Sequence, residues 1–153
     1  MDKQFKLFTL IIGMMIVVAI PRIFATDNQA DIDVMKYAEA SCVTKEDNLI
    51  KLEKNGWVKY ADVDFGKDGK ERFAAKIYSD NELEASHIKV YIDSKESDEV
   101  TKVNTKVFED QLYSYQVVSG DLTSSISGVH DVYIYSESEI KLQWIKFTDI
   151  IEF

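Results

Sequence analysis

Short runs in which apolar and polar residues alternate, divided by turn residues, fill the sequence from about residue 35 onward, and they constrain the fold more than any other feature. Residues 87–93 (HIKVYID) set Ile88, Val90 and Ile92 against Lys89, Tyr91 and Asp93. Such alternation sorts side chains onto the two faces of a strand. Residues 57–65 behave alike and end at Gly66, with Lys67-Asp68-Gly69 as the turn that follows. The series of predicted strands is 36–42, 49–53, 57–65, 72–78, 87–93, 100–107, 113–118, 132–135 and 140–147. About nine short strands without a long amphipathic helix predict an all-β, antiparallel β-sandwich of the jelly-roll kind. Trp57 and Trp144 stand among apolar neighbours, which assigns both to the core between the sheets.

The first residues follow a different rule. Lys3 and Lys6 precede an apolar run from Leu7 to Ile20, which Pro21 interrupts, and Ala25 supplies a small residue for cleavage. That run is shorter than the ~20 residues that span a bilayer as a helix. The layout predicts a signal peptide helix over 1–25, a polar linker over 26–34 and one domain over 35–153. Arg22 and Ile23 fit a cleavage site poorly, so an uncleaved signal anchor is the alternative. The expected location is secreted or at the cell envelope, with no membrane contact once the leader is removed.

Charge and composition narrow the functions. The chain of 153 residues carries 18 basic and 27 acidic side chains, net −9. Residues 1–25 hold Lys3, Lys6 and Arg22 against Asp2, so the remainder has 15 basic and 26 acidic residues, net −11. Phosphate backbones repel such a chain, which argues against nucleic acid as a partner. Cys42 is the only cysteine, excluding an internal disulfide and a thiolate zinc cluster. With only His87 and His130, a multi-histidine metal centre is excluded as well. The sequence contains no Gly-rich phosphate loop, nucleophile elbow or His-Glu-x-x-His, so no catalysis is expected. Asp62 and Asp64 lie two apart on one strand, whereas a glycosidase pair faces across a cleft, usually from separate elements.

Three segments carry a family resemblance. Asn55–Gly66 (NGWVKYADVDFG) has a turn, a tryptophan, a tyrosine three residues on and a VDFG ending; residues 88–94 (IKVYIDS) follow. Residues 127–135 (SGVHDVYIY) come next, and then 142–147 (LQWIKF). In order and spacing they resemble family 6 carbohydrate-binding modules over roughly residues 35–150. The resemblance implies a jelly-roll sandwich that binds polysaccharide or oligosaccharide without catalysis. A β-sandwich kept as a structural or protein-interaction domain at the cell envelope is the alternative.

The resemblance also implies where a ligand would sit, and there the chain departs from the pattern. Family members grip a sugar at the loop end of the sandwich between two aromatic rings, with an asparagine reading hydroxyls. The first ring position falls in 49–52 (LIKL), the second on Leu112 and the asparagine on Lys141. Lys51, Tyr113 and Lys141 are therefore the candidate ligand residues, and the two lysines could draw an acidic sugar. The family's calcium position keeps one charged candidate, Glu39, with Gln143 in place of an aspartate. A hard cation wants several oxygen ligands, so calcium is expected weakly or not at all, and no other cofactor is implied.

Overall fold

The computed structural model describes residues 29–81 and 86–149. The expected leader lies outside the described residues. Nine strands follow in chain order: β1 (Gln29–Ile32), β2 (Glu39–Glu46), β3 (Leu49–Asp64), β4 (Lys70–Tyr78), β5 (His87–Ile92), β6 (Thr101–Asn104), β7 (Gln116–Ile126), β8 (Val129–Ser136) and β9 (Ile140–Thr148). A single 3-10 turn, Glu109–Gln111, stands between β6 and β7. All pairings are antiparallel and join the strands in the order β6-β5-β8-β3-β9-β4-β7, with β2 on β3 and β1 on β9.

This path folds over itself as a sandwich because β3 serves both layers. Its first part pairs Ile50–Leu52 with β9, and its second part pairs residues from Trp57 onward with β8. The crossing lies at Asn55 and Gly56. Asn55 has φ 63°, and β2 bulges alongside at Cys42, φ 56°. Two adjacent strands thus bend together, and Gly56 is the point of closest approach. A Cβ there would lie 2.7 Å from the Cys42 carbonyl oxygen and 2.9 Å from that of Glu53. Gly56→Ala is therefore expected to lower stability by about 1–3 kcal/mol, as overpacking does, read from the denaturant midpoint.

The core lies between the layers. Ile50, Leu52, Val58, Ile77, Ile88, Val90, Val132, Ile134, Leu142 and Ile145 are fully buried. Phe65, Phe73 and Phe147 join them as an edge-to-face stack, with Phe147 centred 4.9 Å from Phe65 and 5.5 Å from Phe73. The Tyr60 hydroxyl, inside this core, donates to the Val34 carbonyl at 3.1 Å. β6 and β7 approach at the far edge, where Thr123 N–H donates to the Val100 carbonyl at 2.8 Å.

Several expectations from sequence change. Residues 29–32, placed in a loose linker, form β1, with Ala30 and Ile32 buried. The predicted strands 49–53 and 57–65 are one strand, because the turn signal Asn55-Gly56 bends β3 rather than ending it. The strand predicted over 113–118 starts later and runs far longer, as β7. Neither tryptophan is core. Trp57 shares its parity with Lys51 and Lys59, while Ile50, Leu52, Val58 and Tyr60 point inward. Trp144 should follow Leu142 inward, but a register shift between Lys76 and Ile77 inserts Gln143 and reverses the phase. Ile145 and Phe147 are then the buried residues, and Trp144 is turned out.

Candidate functional site

Parity builds an aromatic face on the outside of the layer formed by β2, the second part of β3, β8 and β5. Ser41, Trp57, Tyr135 and Lys89 lie in one row across these four strands, and Glu39, Lys59, Tyr133 and Tyr91 in the next. Neighbouring strands are ~4.8 Å apart, so the rings of each row stand within reach of one another. Trp57 and Tyr133 have centroids 6.0 Å apart and are tilted by 45°. Tyr135 donates its hydroxyl to Asn55 Oδ1, which tethers the ring to the bend in β3. The loop after β5 then rises beside this face, placing Lys95 Nζ 4.5 Å from the centre of the Trp57 ring. Trp57, Tyr91, Tyr133, Tyr135, Lys95 and Glu96 line an open trough of about 320 Å³.

Ion pairs hold the trough's walls. Lys59 lies 2.9 Å from Asp131 and 3.3 Å from Glu39, and these carboxylates, Asp131 first, push its ammonium pKa well upward. Asp131 is depressed in turn by Lys59, and its Oδ1 accepts from the Asp62 N–H. Lys89 lies 2.8 Å from Glu137, which also faces His87 at 2.7 Å, and Glu137 falls to a pKa of about 2, chiefly through Lys89. Lys59 and Lys89 also stand over the rings of Tyr133 and Tyr135, 5.6 and 5.8 Å from their centres. Aromatic rings offer flat apolar surface, and the polar groups around them supply donors and acceptors: this is the make-up of a small-molecule site with oriented recognition.

The loop is clamped at its root. Asp93, at φ 62°, exchanges backbone and side-chain bonds with Asp131: its N–H donates to the Asp131 carbonyl at 2.8 Å, and its Oδ1 accepts from the Asp131 N–H at 3.1 Å. His130 Nδ1 lies 2.8 Å from Asp93 Oδ2, and Nε2 lies 2.8 Å from the Ser127 carbonyl. Both ring nitrogens face acceptors, so the imidazolium fits best. Asp93 above all raises the His130 pKa; burial opposes it, and the Ser127 carbonyl adds a lesser upward push. A raised folded pKa means that this stabilisation is complete below the ordinary value of 6.5 and is lost as pH climbs through the folded one. The wild type should accordingly lose stability relative to His130→Gln as pH rises above about 6.5, measured by urea unfolding across that range.

The three residues singled out at the loop end meet at one rim of the other layer. Lys51 and Lys141 are direct neighbours across β3 and β9, and Tyr78 is next to Lys141 on β4. Tyr113, 68% exposed, donates its backbone N–H to the carbonyl of Ser79. Both lysines, however, are enclosed by carboxylates. Lys51 lies 3.2 Å from both Glu53 and Glu139, and Lys141 lies 3.1 Å from Glu46 and 3.4 Å from Asp80. Sequence reasoning missed Tyr78 and Tyr115, whose rings lie 5.4 Å apart beside this rim. Glu39 faces Lys59 on the aromatic layer, while Gln143 belongs to β9 in the other one. Among the described residues, no three His, Cys, Asp or Glu side chains group where they could hold a metal ion.

A family model, carbohydrate binding module (family 6), matches residues 25–149, and the chain belongs to that family. Solved structures share its fold. A family 6 module of Clostridium stercorarium in complex with cellobiose superposes with a TM-score of 0.70 at 19% identity, over 80% of this chain and 95% of its own. The module of Clostridium cellulolyticum in complex with xylose gives 0.68 at 21%, over 80% and 98%. A β-1,3-glucan-binding module of Bacillus halodurans gives 0.64 at 20%, over 77% and 94%. No match was found among curated proteins. The β-sandwich expected from the sequence is thus the fold found, and glycan binding is the activity its family defines.

Proposed function

We propose that this chain is a secreted, non-catalytic module that holds polysaccharide or oligosaccharide in the trough built on Trp57, Tyr91, Tyr133 and Tyr135. The observation that carries this reading is the gathering of four half-buried aromatic rings in one open concavity, with charged groups at its edge. A pyranose presents an apolar C–H face to such rings and directs its hydroxyls sideways, toward polar groups. The basic start, apolar run and small residue at Ala25 support export. The absence of a recognisable catalytic motif in the sequence supports a binding role, and the bound sugars of the cellobiose and xylose complexes support glycan as the ligand class.

The loop end supports binding less well in this chain. Its lysines already face four carboxylates, and Leu112, where the family pattern expects a ring, packs against the core. Retention on immobilised polysaccharides tests the proposal. Affinity electrophoresis through cellulose derivatives, xylan and β-1,3-glucan should slow the wild type in at least one gel. Unchanged migration in every gel would favour a structural or protein-interaction role.

A further inference from the structure

We infer that the loop after β5 is the specificity wall of the trough, in which Lys95 donates to one sugar hydroxyl and Glu96 accepts from its neighbour, selecting an uncharged glycan. This rests on the reading of the trough as the binding site and goes beyond it by assigning the polar recognition and the ligand's charge.

The charges around the trough single out this pair. Lys59 is matched by Asp131 and Glu39, and Lys89 by Glu137. Among the described residues Lys95 enters no ion pair; its ammonium rests on the Trp57 ring. An ammonium has three donors, and an aromatic face satisfies none of them as an acceptor oxygen would. Glu96 Oε2 accepts from the Ser94 hydroxyl at 2.7 Å, and a carboxylate has a second oxygen to offer. One donor and one acceptor on adjacent residues suit two neighbouring hydroxyls of a sugar ring.

The loop is already set in this conformation. Ser94 N–H donates to the Ile92 carbonyl at 2.7 Å, and Ser97 Oγ donates to the Ser94 carbonyl at 2.6 Å. Asp93 ties the loop's root to His130 and Asp131. A prearranged loop backbone saves ordering cost on binding, and only the Lys95 side chain has to leave the Trp57 face, where it lies 4.5 Å from the ring centre, as the sugar takes its place. The surrounding charge decides the ligand class. Glu39, Asp93, Glu96, Glu99, Asp131 and Glu137 outnumber by one Lys59, Lys89, Lys95, the Lys102 opposite Lys89 on β6, and the His130 imidazolium, so a uronic acid or sulfated sugar enters a net negative field.

Titration calorimetry with cellohexaose, xylohexaose, laminarihexaose and hexagalacturonic acid tests this on wild type, Lys95→Met, Lys95→Arg, Glu96→Gln and Trp57→Ala. The wild type should bind at least one neutral hexaose and not the hexagalacturonate. Lys95→Met, which keeps an apolar stem over Trp57, and Glu96→Gln should each weaken binding about threefold to tenfold, the worth of one ordinary hydrogen bond, since exposure to water weakens a charged one. Lys95→Arg should retain most of the affinity. If Trp57→Ala loses binding while Lys95→Met and Glu96→Gln bind as wild type, the trough stands and the wall assignment falls. Tighter binding of hexagalacturonate than of the neutral sugars also overturns it. No binding of any neutral hexaose, or full binding by Trp57→Ala, removes the trough reading and this inference together.

Discussion

Phe147→Ala should destabilise the domain by about 3–5 kcal/mol, the cost of emptying a large, well-packed core site. Phe147 is fully buried and forms the middle of the Phe65–Phe147–Phe73 stack. Its strand is paired on both sides at this point, with Ala30 of β1 and Phe73 of β4 directly opposite. Little can move inward to refill the space, so the loss includes cavity as well as transfer free energy. Domains of this kind hold roughly 5–15 kcal/mol in total, so the variant should sit near the edge of folding at moderate temperature. Urea unfolding would show a lower midpoint with little change in slope.

Trp57→Ala should have the opposite profile: a small change in stability and a large one in binding. The ring is half-buried on the outer face and meets Tyr133 and Lys95 rather than the core. Aromatic and cation–π contacts at exposed positions are worth about 0.5–1.5 kcal/mol each, so a loss of roughly 1–2 kcal/mol is expected, below the Phe147 value. Binding should fall about tenfold or more. The substitution removes one stacking surface, and it also releases Lys95 from the position from which it faces the sugar. A factor of ten corresponds to 1.4 kcal/mol, within reach of one ring and one displaced donor. Thermal unfolding beside calorimetry on the same preparation separates the two effects.

Much of this architecture is written in alternation. Val58 and Tyr60 against Trp57 and Lys59, and Val132 and Ile134 against Tyr133 and Tyr135, sort core from surface by parity alone. The same parity, applied to Trp57, would have turned it outward. Grouping it with its apolar neighbours hid the site. Trp144 was not legible in this way, because the irregularity around Gln143 depends on the pairing of β9 with β4, which a single strand does not encode. β1 is four residues long and half polar, and only its register with β9 makes it a strand. At the loop end the family pattern picked out one rim, where Lys51, Tyr113 and Lys141 come together. Of their four carboxylate partners, Glu46 at the end of β2, Asp80 after β4 and Glu139 before β9 lie far from them or from one another in sequence. Lys95 and Glu96 carry no signal of a site in the sequence; the fold places Lys95 over the Trp57 ring and both residues at the trough's edge.

Whether the sugar lies on the face of Trp57, Tyr91, Tyr133 and Tyr135 is read from a nitrogen-15 correlation spectrum of the wild type, titrated with the neutral oligosaccharide that binds best. Saturable shifts are expected at the Trp57 indole N–H and at the backbone amides of Lys59, Tyr91, Lys95, Glu96, Tyr133 and Tyr135. The Trp144 indole, on the other layer, should stay in place. Shifts gathered instead at Lys51, Tyr78, Tyr113 and Lys141, with the Trp57 indole unmoved, would contradict that placement of the sugar.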